Sequence, residues 1–152
     1  PVIDQWDVYP WMELAQSPGE HEWRYALMPH AGNWQAGEVM READRFTLPL
    51  EAAQAGKGGG TLPQHAGFVE IVNSELVLTA LKKCEHRDTL VLRLFNPTMT
   101  PVTAEIKVFY PIQEAWLTNM NEERRQKLDH DEHRITFPCG HKQIITCEIV
   151  VK

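Results

Sequence analysis

Two sets of histidines and cysteines contain residue types that bind metal ions. Cys139, His141 and Cys147 lie close together near the C-terminal end, and His130 and His133 flank two acidic residues. Zinc sites usually take their ligands from two closely spaced pairs. Each set lacks the second pair, and Cys147 belongs to an apolar, strand-like run. The sequence therefore favours a buried thiol and a solvated polar turn, and it predicts no metal site.

A glycine-rich stretch and the many carboxylates could also carry chemistry. In Gly56–Gly60 (GKGGG), the lysine precedes the last three glycines, and Thr61, Leu62 and Pro63 follow. A phosphate loop would need a helix to begin there, so a flexible surface loop is favoured. The chain has 21 acidic residues, but no pair stands out as glycosidase acid and nucleophile. No nucleophile motif of the G-x-S-x-G type is present either. We predict no catalytic residue in this chain.

The segment His21–Trp34 (HEWRYALMPHAGNW) concentrates aromatic residues, histidines and arginine. Aromatic rings can stack on sugars, but the five tryptophans of the chain more often supply buried area for packing. Period-two alternation predicts a strand at Glu20–Met28 whose core-facing side chains are Trp23, Tyr25 and Leu27. Pro29 then ends the strand in a turn that runs to Gly32.

Length and charge limit the classes of function. The chain has 152 residues, enough for one domain, and a formal net charge of −6. This acidity argues against a nucleic-acid or anionic-membrane partner. No apolar run approaches the ~20 residues that span a bilayer. Three cysteines do not form a disulfide framework, so we expect a reducing, cytoplasmic location.

The second half of the chain is a series of short strands. Val102–Tyr110 and Gln143–Val151 alternate with period two, and Thr89–Phe95 ends at an Asn-Pro turn signal. Three further strands are predicted at Glu75–Lys83, Ala115–Asn119 and His133–Phe137. A polar hairpin loop is predicted at residues 121–132. Six strands without intervening helices predict an all-β fold, an antiparallel β-sandwich.

The first half is less regular. Residues Glu38–Asp44 predict one or two helical turns, and Gln54–Thr61 predicts a loop. We therefore expect a single β-sandwich domain over residues 1–152, with a short helical turn and long loops in its first half.

Three segments together resemble family 38 glycoside hydrolases, the zinc-dependent α-mannosidases. His21–Gly32 (HEWRYALMPHAG) resembles the family's "EHEFRYALYPHEG" segment. Leu76–Glu85 (LVLTALKKCE) resembles "VVLSALKKAE", and Leu90–Thr98 (LVLRLFNPT) resembles "LILRLYNPT". The three matches occur in the same order, and only the first twenty residues precede them. Met28 and Cys84 replace a common tyrosine and a common alanine.

The resemblance implies that this chain is the C-terminal β-sandwich domain of a larger, bacterial-type enzyme. Such enzymes are retaining, with an aspartate nucleophile and with zinc held by histidines and aspartates of an N-terminal catalytic domain. The matching positions here belong to the structural β region, so no catalytic or metal role is carried over to them. The expected partners are the catalytic domain, a mannoside substrate of the parent enzyme, and a second copy of the chain.

The interface with that domain is expected near the aromatic segment, at Arg24, His30 and Trp34. The expected parent activity is hydrolysis of terminal α-mannosyl linkages, with the fragment alone inactive. Three alternatives stay open. The chain could be a non-catalytic carbohydrate-binding module, it could be a purely structural or assembly domain without a ligand, or the parent could act on mannosylglycerate.

Overall fold

The computed structural model describes residues 19–152, and the sequence predictions for residues 1–18 lie outside this range. It contains one helix, α1 (Val39–Thr47), and eight strands: β1 (Val69–Ile71), β2 (Val77–Lys83), β3 (Leu90–Phe95), β4 (Val102–Val108), β5 (Ile112–Thr118), β6 (Arg124–Leu128), β7 (Arg134–Cys139) and β8 (Ile144–Val151). No helix within the described range is long and apolar enough to cross a membrane.

The strands form two antiparallel sheets. One has three strands in the order β1-β4-β7, and the other has five in the order β2-β3-β8-β5-β6. Their facing sides share one apolar core, which draws side chains from both sheets. The fold is therefore the antiparallel β-sandwich that the strand pattern predicts.

Alternation along β4 assigns its two faces correctly. Ala104, Ile106 and Val108 are buried in the core, whereas Thr103 on the opposite face is exposed. The central strand β8 differs, because Thr146 and Glu148 on its outer face are also buried. Long side chains from neighbouring elements cover that face, and they form the polar cluster described below.

Two strands, β1 and β6, depart from the predicted pattern. The three-residue β1 was not predicted, and β6 lies inside the run 121–132 that was assigned to a hairpin loop. Strand β6 reads RRQKL, so it has no apolar alternation, and only Leu128 is buried. The helical turns predicted at Glu38–Asp44 are confirmed from Val39 onward by α1, which extends to Thr47, and Glu38 is the N-cap residue.

The prediction of a core-facing strand at Glu20–Met28 is wrong for this chain. No strand forms there. The side chains of Trp23, Tyr25 and Leu27 are 78%, 86% and 90% exposed. Alternation correctly indicates one apolar face, but no element among residues 19–152 covers it. The residues from Leu48 to Gly67 are also irregular and exposed, in agreement with the predicted loop at Gln54–Thr61.

Candidate functional site

The sequence-predicted interface residues lie before α1. The side chain of Arg24 is exposed, with its Nε atom 3.9 Å from Glu22 Oε1. His30 is also exposed and packs beside Gly37, where an added Cβ atom would lie 2.5 Å from the His30 Cγ atom. Among the described residues, no hydrogen bond or ion pair joins Arg24 to His30. Each side chain has a local contact instead, Arg24 with Glu22 and the His30 Nδ1 atom with the Ala31 carbonyl oxygen at 3.4 Å, and both remain exposed.

Trp34 connects this segment to the sandwich. The side chain of Asn33 fixes the turn, since its Oδ1 atom accepts hydrogen bonds from the backbone N–H groups of Gln35 and Ala36, at 3.1 and 2.9 Å. The turn holds the Trp34 ring 5.7 Å from the ammonium of Lys142, which lies just before β8. The ring remains 40% exposed. It borders a groove of about 730 Å³ between α1 and the segment 70–78.

A polar cluster on the outer face of the five-stranded sheet was missed by sequence reasoning. Its centre is Glu148, whose side chain is fully buried. Arg87 donates to the carboxylate through Nε and Nη2 at 2.8 and 2.9 Å, and Arg124 donates through Nε and Nη2 at 3.0 and 2.9 Å. The hydroxyl of Thr89 donates a fifth hydrogen bond at 2.8 Å. The carboxylate therefore has little free accepting capacity.

A second buried carboxylate lies beside the first. Glu122 accepts a hydrogen bond from the Glu85 backbone N–H at 2.7 Å and forms an ion pair with Lys82 at 2.8 Å. The Glu122 backbone carbonyl also accepts a hydrogen bond from Arg87, which joins the two carboxylates into one network. The network ties the turn after β2 to strands β6 and β8.

The pKa values of both carboxylates are strongly lowered. Burial raises the pKa of Glu148, but hydrogen bonds from Arg124, Arg87 and Thr89 outweigh that effect and leave the pKa at about 2. The Lys82 hydrogen bond, followed by that of the Glu85 N–H, lowers the pKa of Glu122 to about 2. A general acid needs a pKa near the working pH and access to substrate. These paired carboxylates have neither property, so they do not fit the role of a general acid.

The cysteines and histidines do not form a metal centre in the part of the chain that the structure describes. No group of three or more potential ligands occurs among residues 19–152. Burial raises the pKa of Cys139, and it raises the pKa of Cys147 to about 12, whereas zinc binds thiolates. The His133 ring nitrogen Nδ1 pairs with the Val108 carbonyl, 3.0 Å away. These residues do not fit the zinc of family 38 enzymes.

The two packed antiparallel sheets define a β-sandwich domain. Residues 75–147 match the sequence model of the "Glycosyl hydrolases family 38 C-terminal beta sandwich domain". This range extends from just before β2 into β8. The chain belongs to family 38 of the glycosyl hydrolases.

Two curated relatives are both named alpha-mannosidase 2C1. The mouse protein is 36% identical over 110 residues, which cover 70% of this chain and 10% of the relative. The human protein is 34% identical over 107 residues, which cover 68% of this chain and 10% of the relative. The chain therefore matches about a tenth of the length of these relatives.

Proposed function

We propose that this chain is the C-terminal β-sandwich domain of a retaining α-mannosidase that hydrolyses terminal α-mannosyl linkages. The observation that carries this proposal is the match of residues 75–147 to the family's C-terminal sandwich. The name of both relatives, alpha-mannosidase, supports the activity of the parent enzyme. A retaining glycosidase forms a covalent glycosyl-enzyme intermediate on a carboxylate nucleophile and then hydrolyses it.

In this proposal the chain supports catalysis without performing it. The nucleophile and the zinc ligands belong to the catalytic domain of the parent enzyme. This assignment is supported by Glu122 and Glu148, which are buried, fully paired and ionised, and by thiols that burial keeps protonated. The sandwich supplies a rigid body against which the catalytic domain packs.

The proposed contact with the catalytic domain includes Arg24, His30 and Trp34. Exposed side chains beside a fixed turn, and the ring of Trp34 beside Lys142, support this location. We also propose that the parent enzyme acts in the cytoplasm. Support comes from Cys84, Cys139 and Cys147, which are buried and not joined in a disulfide.

A second candidate function, saccharide binding, is favoured by the groove beside Trp34. Four polar side chains that line it, those of Gln35, Asp44, Ser74 and Glu75, make no hydrogen bond or ion pair with residues 19–152. Their carboxylate, amide and hydroxyl groups can accept hydrogen bonds from sugar hydroxyls, and the amide and hydroxyl groups can also donate to them. Titration of the chain with methyl α-mannoside would then give a saturable fluorescence change that Trp34→Phe abolishes and Trp23→Phe retains. A change that both variants retain, or none at all, would exclude binding at this groove.

Hydrolysis of an aryl α-mannoside tests the main proposal. The 152-residue chain and the full-length enzyme are assayed side by side with zinc supplied. We expect turnover by the full-length enzyme only. Turnover by the short chain would contradict the assignment of the catalytic groups to another domain. The corresponding aryl glucoside and galactoside serve as alternative substrates. Absence of turnover of the aryl α-mannoside by the full-length enzyme would contradict the mannosidase assignment.

A further inference from the structure

The segment His21–Met28 has the sequence of a half-buried strand but lacks a sheet. We define its apolar face as Trp23, Tyr25 and Leu27, all more than three-quarters exposed. The opposite face includes Arg24, paired with Glu22 at 3.9 Å, and Ala26. The backbone groups of residues 22–29 make no hydrogen bond with residues 19–152. Among the described residues, residues 22–28 therefore leave their backbone ladder groups unpaired, and the apolar face of Trp23, Tyr25 and Leu27 is uncovered.

This combination indicates a missing partner. Buried apolar area is the main favourable term in folding and association, and contiguous exposed apolar surface usually marks an interaction site. Trp, Tyr and Leu on alternate positions suit a pleated surface that is covered on one side. Charged Glu22 and Arg24 suit the other side of the strand, which lies outside the core that covers the apolar face and leaves Arg24 free for the polar contact proposed above. Pro29, without a backbone donor, suits the end of a strand.

We infer that residues 21–28 add a strand to a β-sheet of the catalytic portion of the same polypeptide, with the apolar face buried in that other core. This inference rests on the proposed function. The relatives are about ten times longer than the matched region, so most of such an enzyme lies outside this chain. Backbone hydrogen bonds along the added strand would supply the affinity, and the apolar face would fix its register.

Amide hydrogen exchange of residues 22–28 is measured in two proteins, the 152-residue chain and the full-length enzyme. In the chain, the amides of residues 22–28 are expected to exchange at unprotected rates. In the full-length enzyme, they are expected to be protected by about 100-fold or more, as in stable sheets. Equal exchange in both proteins would overturn the inference. Protection in the chain alone, appearing with a concentration-dependent dimer, would assign the face to a second copy and would also overturn it.

Matched substitutions test which face is buried. Tyr25→Ser should lower the Tm of the full-length enzyme and leave that of the 152-residue chain unchanged. Ala26→Ser, the control on the opposite face, should leave both unchanged. If Tyr25→Ser prevents the full-length enzyme from accumulating, the milder Leu27→Ala replaces it. Equal changes in Tm for Tyr25→Ser and Ala26→Ser in the full-length enzyme would contradict the inference. An equal Tm shift for Tyr25→Ser in the 152-residue chain would also contradict it.

The mannoside assay separates this inference from the proposed function. A protected segment in an enzyme that does not hydrolyse aryl α-mannosides would refute the activity and retain the added strand. An enzyme that hydrolyses aryl α-mannosides but has an unprotected segment would support the activity and refute the added strand.

Discussion

Residues 69–152 and residues 19–68 use large apolar side chains in opposite ways. In the first region, Leu92, Ile106 and Ile149 are completely buried between two sheets. In the second region, Trp23, Tyr25 and Leu27 are largely exposed, and no residue of α1 is buried. Both regions carry amphipathic patterns, so the difference lies in whether a covering surface is present. The sandwich contains its own partner sheet, whereas no element among residues 19–152 covers the apolar face of the first region, which we infer to be buried in another core.

The largest expected effect comes from the same substitution made in both regions. Leu92→Ala removes a fully buried side chain from the core, and it should lower the free energy of unfolding by about 3 kcal/mol through lost burial and a cavity. Leu27→Ala, at an exposed site, should change it by less than about 0.5 kcal/mol. Urea unfolding of the 152-residue chain measures both. Similar losses for the two leucines would remove the contrast between the regions.

A comparable contrast is expected for carboxylates. Glu148→Gln keeps the size of the side chain but removes the counter-charge that Arg87 and Arg124 share, and Arg124 keeps only its longer contact with Glu114 at 3.5 Å. Breaking a buried ion pair in this way should cost about 3 kcal/mol. The matched control Glu22→Gln removes an exposed charge whose closest cation is 3.9 Å away, so its expected effect is close to zero. Thermal unfolding of both variants at pH 7 is the measurement, and a neutral Glu148→Gln would show that the cluster does not stabilise the sandwich.

Acid should weaken the sandwich through the same cluster. The pKa values of Glu148 and Glu122 are about 2 in the folded chain, against an ordinary value of 4.5. Their lowered pKa values mean that the fold favours the charged form. The resulting stability is fully present well above pH 4.5 and is lost as the pH falls from there towards 2. Unfolding free energies between pH 6 and 2 should fall less steeply in Glu148→Gln than in the parent chain, and parallel curves would contradict this mechanism.

The sequence predicted those parts of the fold whose signals are local. Alternation in β4 and the Asn-Pro turn after β3 identify strands because side-chain direction and backbone limits act within a few residues. Strand β6 was missed because an edge strand rich in Arg and Lys has no apolar period. The β1 strand is too short to show a period.

The polar cluster and the exposed segment could not be predicted in the same way. Glu148 meets Arg87 and Arg124 from 61 and 24 residues away, and only the sheet order brings them together. An acidic residue within an apolar strand is the one local signal, since burial of Glu requires charged partners. At Trp23 and Tyr25, alternation indicates that one face is to be buried, but it contains no information on which core buries it.

Limited proteolysis of the 152-residue chain tests most directly whether the sandwich is stable without the region before it. We expect cleavage within the exposed stretch between Leu48 and Gly67, leaving a resistant fragment that begins before β1. The Tm of that fragment should lie within about 4 °C of the intact chain, a shift that corresponds to less than ~1 kcal/mol. Cleavage spread through the eight strands, or a fragment that unfolds once the residues before the cut are removed, would contradict the division into a self-sufficient sandwich and a dependent first region.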